Sequence, residues 1–195
     1  MSLLGLSNRL RDHADPRHWD VSLIAELAVA IGLAAALGQL RVFTMPQGGS
    51  VSLEMLPILI VAIRRGVVPG VVAGGLYGLL QLVLPGAFIF HWAQAALDYP
   101  LAYAALGAAG AVGVRGWKTL VGAVAVGSAA RLVFHFLSGL LFFTTYAPSW
   151  EWPWLYALTY NLLFLVPEAA ITGVVLWPIL KALDVALPGA VRATR

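Results

Sequence analysis

Three polar side chains suited to binding a ligand lie inside long apolar stretches of the sequence: Asp98, His135 and Asn161. An ionisable side chain at the centre of a bilayer costs about 2.5–3.5 kcal/mol, so each such residue calls for a partner or a function. At a rise of about 1.5 Å per residue, the three lie about 13, 15 and 10 Å below the outer ends of their helices. The spacing therefore predicts one polar layer shared by three membrane helices.

Neighbouring residues extend this layer. Gln94 shares a helical face with Asp98, Tyr99 adjoins it, and Tyr156 lies about one turn above Asn161. Aromatic residues also crowd the outer ends of the last two stretches: Phe142, Phe143, Tyr146, Trp150, Trp152 and Trp154. An interfacial aromatic belt explains about two or three of these rings, but not the acid and the amides beneath them.

This combination of groups suits a small aromatic cation. A carboxylate attracts a unit charge by about 4 kcal/mol at about 4 Å, for an effective dielectric constant of about 20. Aromatic faces add about 0.5–2 kcal/mol by cation–π contact. Amide and phenol groups can recognise ring nitrogens and an exocyclic amine.

A second group of charged residues lies deeper in the predicted helices. Arg131 is one turn below His135, and Glu168 and Glu26 reach a similar depth. We interpret this group as structural: a buried ion pair between Arg131 and either Glu168 or Glu26. Breaking one partner of such a pair costs about 3–5 kcal/mol.

The composition places these residues in a membrane domain. Of 195 residues, 61% are hydrophobic and 11% are charged, less than half the charged fraction of about 25% in soluble domains. A water-soluble enzyme and a disordered chain are thereby nearly excluded. Six apolar stretches predict an all-α integral membrane protein with six transmembrane helices: Val21–Leu40, Val51–Ile63, Val67–Leu84, Ile89–Val114, Thr119–Thr145 and Trp154–Leu180.

The basic residues predict the orientation of this domain. With six spans, four basic groups fall on one side, which the positive-inside rule makes cytoplasmic: Arg9, Arg11 and Arg17; Arg64 and Arg65; Arg115 and Lys118; Lys181, Arg192 and Arg195. We therefore expect a cytoplasmic N-terminal segment at 1–20, a membrane domain at 21–183 and a cytoplasmic tail at 184–195. The same rule explains the net charge of +3 without nucleic acid. With no cysteine, thiolate chemistry is absent, and neither a metal nor a cofactor is expected.

Two stripes of small residues predict close helix packing. Gly70, Gly74 and Gly78 favour contact within the chain. The stripe with Ala28 and Gly32 on the first span is equally compatible with internal packing and with docking of a partner.

Four segments of the sequence resemble the thiamine-specific substrate-binding subunit of energy-coupling factor (ECF) transporters, the ThiT family. They are MPQGGSVSLEMLPILIVAIRRG (45–66), HWAQAALDYPLAYAALGAAG (91–110) with its LDYPLA signature, RLVFHFLSGLLFFTTYAP (131–148) and LYALTYNLLFLVPE (155–168). The resemblance implies high-affinity capture of thiamine from the outer side of the bacterial plasma membrane. It also implies a transmembrane scaffold subunit and two cytoplasmic ATPase subunits, since the chain itself has no nucleotide-binding GxxxxGK[ST] motif.

The resemblance also assigns roles to particular residues. Ligand binding carries over to Asp98, as charge partner, and to Tyr99, His135, Tyr156 and Asn161. Ala28 and Gly32 match the family's docking stripe. Some relatives stack the ligand between two tryptophans, whereas this chain has Phe143 at the end of the fifth span and its tryptophans at Trp150, Trp152 and Trp154. Several residues complete the candidate binding set: Gln94, Tyr146, Phe143, Trp152 and Glu54, the last either a second carboxylate of the pocket or an interfacial residue.

Three other functions compete with this interpretation. The first is an ECF subunit for another vitamin, which the LDYPLA and YN elements disfavour. The second is a stand-alone proton-coupled transporter with Asp98, His135 and Glu168 as a relay. The third is an intramembrane enzyme that uses His91, His135 and Asp98, but neither HExxH nor GxSxG is present.

Overall fold

The computed structural model describes residues 19–183. Within this range each predicted span contains one helix, and the observed helices differ from the predicted spans by a few residues at their ends. The helices are α1 (Val21–Leu37), α2 (Met55–Arg65), α3 (Val67–Gln81), α4 (consecutive segments Trp92–Ala96, Leu97–Leu101, Ala102–Ala105 and Leu106–Ala111), α5 (Trp117–Phe142) and α6 (Pro153–Ala182). The tail predicted at 184–195, and nearly all of the segment predicted at 1–20, lie outside the described residues.

Two of these helices, α5 and α6, are long and apolar enough to cross a membrane. The helices α1 and α3 are apolar but shorter, at 17 and 15 residues. The helix α2 has 11 residues, which correspond to about 16 Å. It begins at Met55 rather than at the predicted Val51, because the chain before it forms a hairpin.

This hairpin joins α1 to α2 and lies between the first and second predicted spans, except for Val51, the first residue of the second. Its strands β1 (Phe43–Thr44) and β2 (Ser50–Val51) pair antiparallel, with Phe43 opposite Val51. The turn between them contains Gly48 and Gly49, with φ of 86° and 87°. Glycine adopts positive φ without steric cost, so two adjacent glycines allow this tight reversal.

The helix α4 changes its winding at the LDYPL sequence. Residues Leu97–Leu101 form a π-helical turn with Pro100 inside it. Proline has no N–H and cannot make the usual helical hydrogen bond, and a wider turn accommodates this loss. Asp98 and Tyr99 lie within this turn, so the irregular winding sets the direction of both side chains.

The glycine stripe of α3 packs inside the molecule, as predicted. A β-carbon at Gly74 would overlap the backbone of Tyr103, and one at Gly78 would lie 2.5 Å from the Tyr99 carbonyl oxygen. These glycines let α3 and α4 approach closely. The packing brings Tyr77, Gln81 and Tyr103 together at the interface.

The stripe of α1 has a different environment. Ala28 and Gly32 are exposed, and a β-carbon added at Gly32 would have no neighbour within 4 Å. The opposite side of α1 is buried through Leu23, Leu27, Ala30 and Ala34. No other described part of the chain therefore fills this stripe.

Glu26 pairs at the opposite end of α1 from the hairpin. Its carboxylate lies 2.8 Å from Arg64 Nε and 2.5 Å from Arg65 Nη2. Arg131 pairs instead with Glu168, at 3.0 Å. Of the two partners expected for Arg131, the structure thus selects Glu168.

Candidate functional site

A cavity opens between the hairpin and the ends of α3, α4, α5 and α6. It encloses about 860 Å³ including its open mouth. The hairpin lines one side of the cavity with Thr44, Gln47, Gly48, Gly49 and Ser50. The other walls are formed mainly by side chains of the helices. The helix α1 does not line it.

Asp98 is the acceptor at the centre of one wall. Its Oδ1 lies 3.1 Å from His135 Nδ1, and its Oδ2 accepts hydrogen bonds from Ser138 Oγ at 2.7 Å and Gln94 Nε2 at 2.8 Å. On α5, His135 and Ser138 are three residues apart and therefore share a face. Three side-chain donors thus hold the carboxylate in one orientation.

The bonding pattern determines the tautomer of His135. Arg131 Nε donates to His135 Nε2 at 3.1 Å, and a guanidinium can only donate. Nε2 must therefore carry the lone pair, and the ring proton lies on Nδ1, from which it is donated to Asp98. The imidazole is neutral in this arrangement.

Arg131 connects this wall to a deeper set of residues. Its Nη1 donates to Glu168 Oε2 at 3.0 Å and its Nη2 to the Tyr103 hydroxyl at 2.7 Å. The guanidinium also lies 4.2 Å from the centroid of the Tyr103 ring. Arg131 itself lines the cavity. The predicted buried ion pair is therefore present, and its arginine also reaches the cavity, which the depth along the helix did not predict.

Glu54 is the second carboxylate of the cavity, the first of the two roles considered for it. It is 4% exposed, and its Oε2 accepts from the Tyr77 hydroxyl at 2.7 Å and from Gln81 Nε2 at 2.9 Å. Its Oε1 accepts from the Tyr103 hydroxyl and lies 3.6 Å from Arg131 Nη2.

The network of side chains around Arg131 contains more acidic than basic groups. Its ionisable side chains are three carboxylates, from Glu54, Asp98 and Glu168, one guanidinium, from Arg131, and the neutral His135. When all three carboxylates are ionised, two negative charges are not balanced by Arg131. A second arginine, Arg41, stands at the mouth, where its Nη2 donates to the Pro85 carbonyl at 3.1 Å.

Two tyrosine hydroxyls hold the loops around the mouth. Tyr160 accepts from Gln47 N at 2.8 Å and donates to the Gly48 carbonyl at 3.0 Å. Tyr99 bonds similarly to both backbone groups of Phe88, accepting from N at 2.6 Å. The mouth is thereby tied to α6 on one side and to α4 on the other.

The structure brings most of the predicted binding residues to the cavity. Its lining includes Glu54, Gln94, Asp98, Tyr99, His135, Phe143, Tyr156 and Asn161. Asn161 donates to the carbonyls of Ala157 and His135, at 2.7 and 3.3 Å. Two predicted residues lie outside the lining: Tyr146 is 50% and Trp152 is 70% exposed. The rings of the cavity are instead phenyl and phenol groups and the imidazole of His135, and none of its described lining residues is a tryptophan.

Several cavity residues do not emerge from the sequence pattern: Arg41, Gln81, Tyr103, Tyr160 and Phe164. Tyr77 and Gln81 carry a usable signal, because they are polar groups one turn apart in a span without charge. Tyr160 is one turn from Tyr156 and could have been found in the same way. Tyr103 and Phe164 have no such signal, since aromatic residues are common throughout the apolar spans.

Two further hypotheses, a metal site and a role for His91 in the cavity, have little support among the described residues. No group of three or more His, Asp or Glu side chains there is placed to hold a metal ion. His91 does not line the cavity; it caps the N-terminus of α4, where its Nδ1 accepts from Ala93 N at 3.1 Å.

Comparison with known proteins identifies close relatives. The family model for thiamine transporter protein (Thia_YuaJ) matches residues 24–187. Thiamine transporter ThiT of Bacillus subtilis is 36% identical over 169 residues, which cover 80% of this chain and 86% of that protein. ThiT of Lacticaseibacillus paracasei is 29% identical over 160 residues, covering 74% and 80%. A solved structure of ThiT from Listeria monocytogenes superposes with a TM-score of 0.74 at 25% identity, covering 86% of this chain and 98% of that one.

Proposed function

Since this chain belongs to the thiamine transporter protein family, whose members are transporters rather than enzymes, we propose that it is the thiamine-capturing membrane subunit of an ECF-type uptake system. It binds the vitamin from the outer side of the bacterial plasma membrane. A scaffold subunit and two cytoplasmic ATPases supply the energy for transport.

The observation that carries this proposal is the pair of carboxylates, from Asp98 and Glu54, in the cavity lining. Thiamine is a cation, and both carboxylates accept most of their hydrogen bonds from neutral donors, which leave their negative charge in place. We propose that the cationic ring of the ligand lies beside these carboxylates. Because the neighbouring imidazole is neutral, it does not offset this attraction. We assign Asp98 as the principal charge partner.

The aromatic lining suits the rings of the ligand. Phe88, Phe143, Tyr156 and Phe164 all line the cavity, and ring faces attract cationic heterocycles. The His135 ring lies 5.6 Å from that of Phe164, nearly perpendicular to it. We propose that phenyl and phenol groups stack on the ligand in this protein, as tryptophans do in some relatives.

A membrane position agrees with the surface of the helices. Large apolar side chains are exposed on several of them, among them Val29 at 62%, Leu141 at 67% and Leu163 at 65%. Such a surface is unfavourable in water and normal in lipid. The basic residues Arg64, Arg65 and Lys181 stand at helix ends remote from the cavity mouth, which supports a mouth on the outer side and both termini in the cytoplasm.

The open stripe of α1 supports the proposed scaffold contact. Ala28 and Gly32 are exposed, and small residues permit close helix approach in lipid. Because α1 does not line the cavity, docking there leaves the ligand site intact.

A stand-alone proton-coupled transporter is the alternative with a structural basis, because Asp98, His135 and Glu168 do lie in one network. However, Arg131 stands between His135 and Glu168, bonded to both. A guanidinium does not release its proton at any accessible pH, so it interrupts a relay along this chain.

Isothermal titration of the purified, detergent-solubilised protein with thiamine tests the proposal. We expect saturable binding at one site with no chemical change of the ligand. Calorimetry is preferable to intrinsic fluorescence, because no described lining residue is a tryptophan. Absence of binding heat at saturating thiamine, together with failure to retain radiolabelled thiamine, would refute the proposal.

A further inference from the structure

We propose that Arg41 at the cavity mouth binds the phosphate of a phosphorylated ligand, so that it determines how well the protein accepts the phosphate monoester of thiamine relative to the free vitamin. This proposal rests on the proposed function. The ester carries its phosphate on the hydroxyethyl group of the cationic ring, so one ligand presents a positive and a negative group.

Arg41 is a cation of the cavity lining without a carboxylate partner among the described residues. By contrast, Arg64 and Arg65 pair with Glu26, and Arg131 pairs with Glu168. Arg41 is also the only Lys or Arg between the predicted spans on the outer side, in 41–50, 85–88 and 146–153. The positive-inside rule places most Lys and Arg on the other side of the membrane, so a basic residue here calls for a function.

The guanidinium of Arg41 is held in place and keeps donors free. Its Nε donates to the Gly38 carbonyl and its Nη2 to the Pro85 carbonyl, both at 3.1 Å. It lies against Gly86, where a β-carbon would overlap it. Its Nη1 makes no hydrogen bond with a described residue and is not among the buried unpaired atoms, in keeping with the partial exposure of the side chain. Of five N–H donors three therefore remain, in the planar arrangement that binds phosphate oxygens.

The charges of the lining favour one orientation of such a ligand. Asp98 and Glu54 attract the cationic ring and repel a phosphate, whereas Arg41 does the opposite. Thr44 and Ser50 of the hairpin also line the cavity, and their hydroxyls are suited to donate to phosphate oxygens. The ring is thus expected beside the carboxylates and the phosphate at Arg41.

The test is calorimetric titration with thiamine and with thiamine monophosphate. The wild-type protein should bind both. Arg41→Gln removes the charge and should raise the ratio of the two dissociation constants, monophosphate over thiamine, about tenfold or more. The ratio is the readout because loss of the two carbonyl bonds affects both ligands. Arg41→Lys keeps the charge but not the planar fork, should raise the ratio less, and serves as a second variant if Arg41→Gln does not fold.

Arg115→Gln is the matched control, since it removes the same charge from an exposed arginine at the other end of α4 and α5. It should keep the wild-type ratio. An unchanged ratio in Arg41→Gln, or a wild-type protein that binds thiamine but not its monophosphate, would overturn the role of Arg41. A wild-type protein that binds neither ligand would instead refute the proposed function.

Discussion

Replacing Asp98 by asparagine isolates the contribution of its charge to ligand binding. The substitution keeps the shape of the side chain, and a neutral amide is easier to bury than a carboxylate. It removes one of the two carboxylates that line the cavity. At about 4 Å and an effective dielectric constant of about 20, the lost attraction is about 4 kcal/mol. The substitution also replaces one carboxylate oxygen by an NH₂ group, which cannot accept the hydrogen bonds that Gln94, Ser138 or His135 donates to Asp98 in the wild-type protein.

We expect thiamine affinity to fall by about 2–4 kcal/mol, which corresponds to about thirtyfold to a thousandfold. Calorimetric titration of the folded variant measures this directly, with its melting temperature recorded in parallel. Ser138→Ala is the control: it removes one hydrogen bond to the same carboxylate but no charge, and should cost only about 0.5–1.5 kcal/mol. Wild-type affinity in Asp98→Asn would refute the assigned charge role and move it to Glu54.

Three other substitutions test the buried ion pair, the hairpin and the α1 stripe. Arg131→Ala leaves Glu54 and Glu168 without their common cation. It should lower the free energy of unfolding by about 3–5 kcal/mol, which a lower melting temperature would report. An unchanged melting temperature would contradict the pairing. Tyr160→Phe removes both hydrogen bonds to the hairpin and should speed thiamine dissociation about fivefold or more, as followed by radioligand chase. Thr159→Val, which affects a hydroxyl bonded to its own helix, should not change that rate. Gly32→Trp should leave the isolated protein folded and able to bind thiamine, since a side chain there meets open space. It should abolish cellular uptake and co-purification with the scaffold. Wild-type uptake would show that the α1 stripe takes no part in transport. Gly122→Trp, at an equally open position on α5, should keep uptake.

The number and the approximate limits of the helices could be predicted from hydropathy, because long apolar stretches in this chain are separated by charged or turn-forming residues. Asp98, His135 and Asn161 could be predicted as site residues for a related reason: a polar group in an apolar span is costly and is seldom kept there without a partner or a ligand. The depths along the helices correctly placed all three at one cavity. Distances along separate helices are thus a usable guide when the helices run nearly antiparallel.

The depth of a residue along its helix predicted poorly which side chains line the cavity where the direction of the side chain mattered more. Arg131 lies one turn below His135, yet its long side chain reaches up to the imidazole and lines the cavity. Trp152 lies at the start of α6, near the cavity in sequence, but is 70% exposed and does not line the cavity. The hairpin could not be predicted because its strands are two residues each, too short for a detectable alternation. Side-chain direction depends on local features such as the π-helical turn at Asp98, which hydropathy does not report.

The way in which the carboxylates are stabilised explains how a buried site can retain charge for a ligand. Glu54 accepts from Tyr77 and Gln81, and Asp98 accepts from Ser138 and Gln94. These donors are neutral: they replace the hydrogen bonds of water and so reduce the cost of burial, but they do not cancel the negative charge. A further buried arginine would stabilise the carboxylates equally well but would add a positive charge to those of Arg131 and Arg41, which already line the cavity. Since Arg131 is already shared with Glu168, the neutral donors leave an attraction that a cationic ligand is able to use.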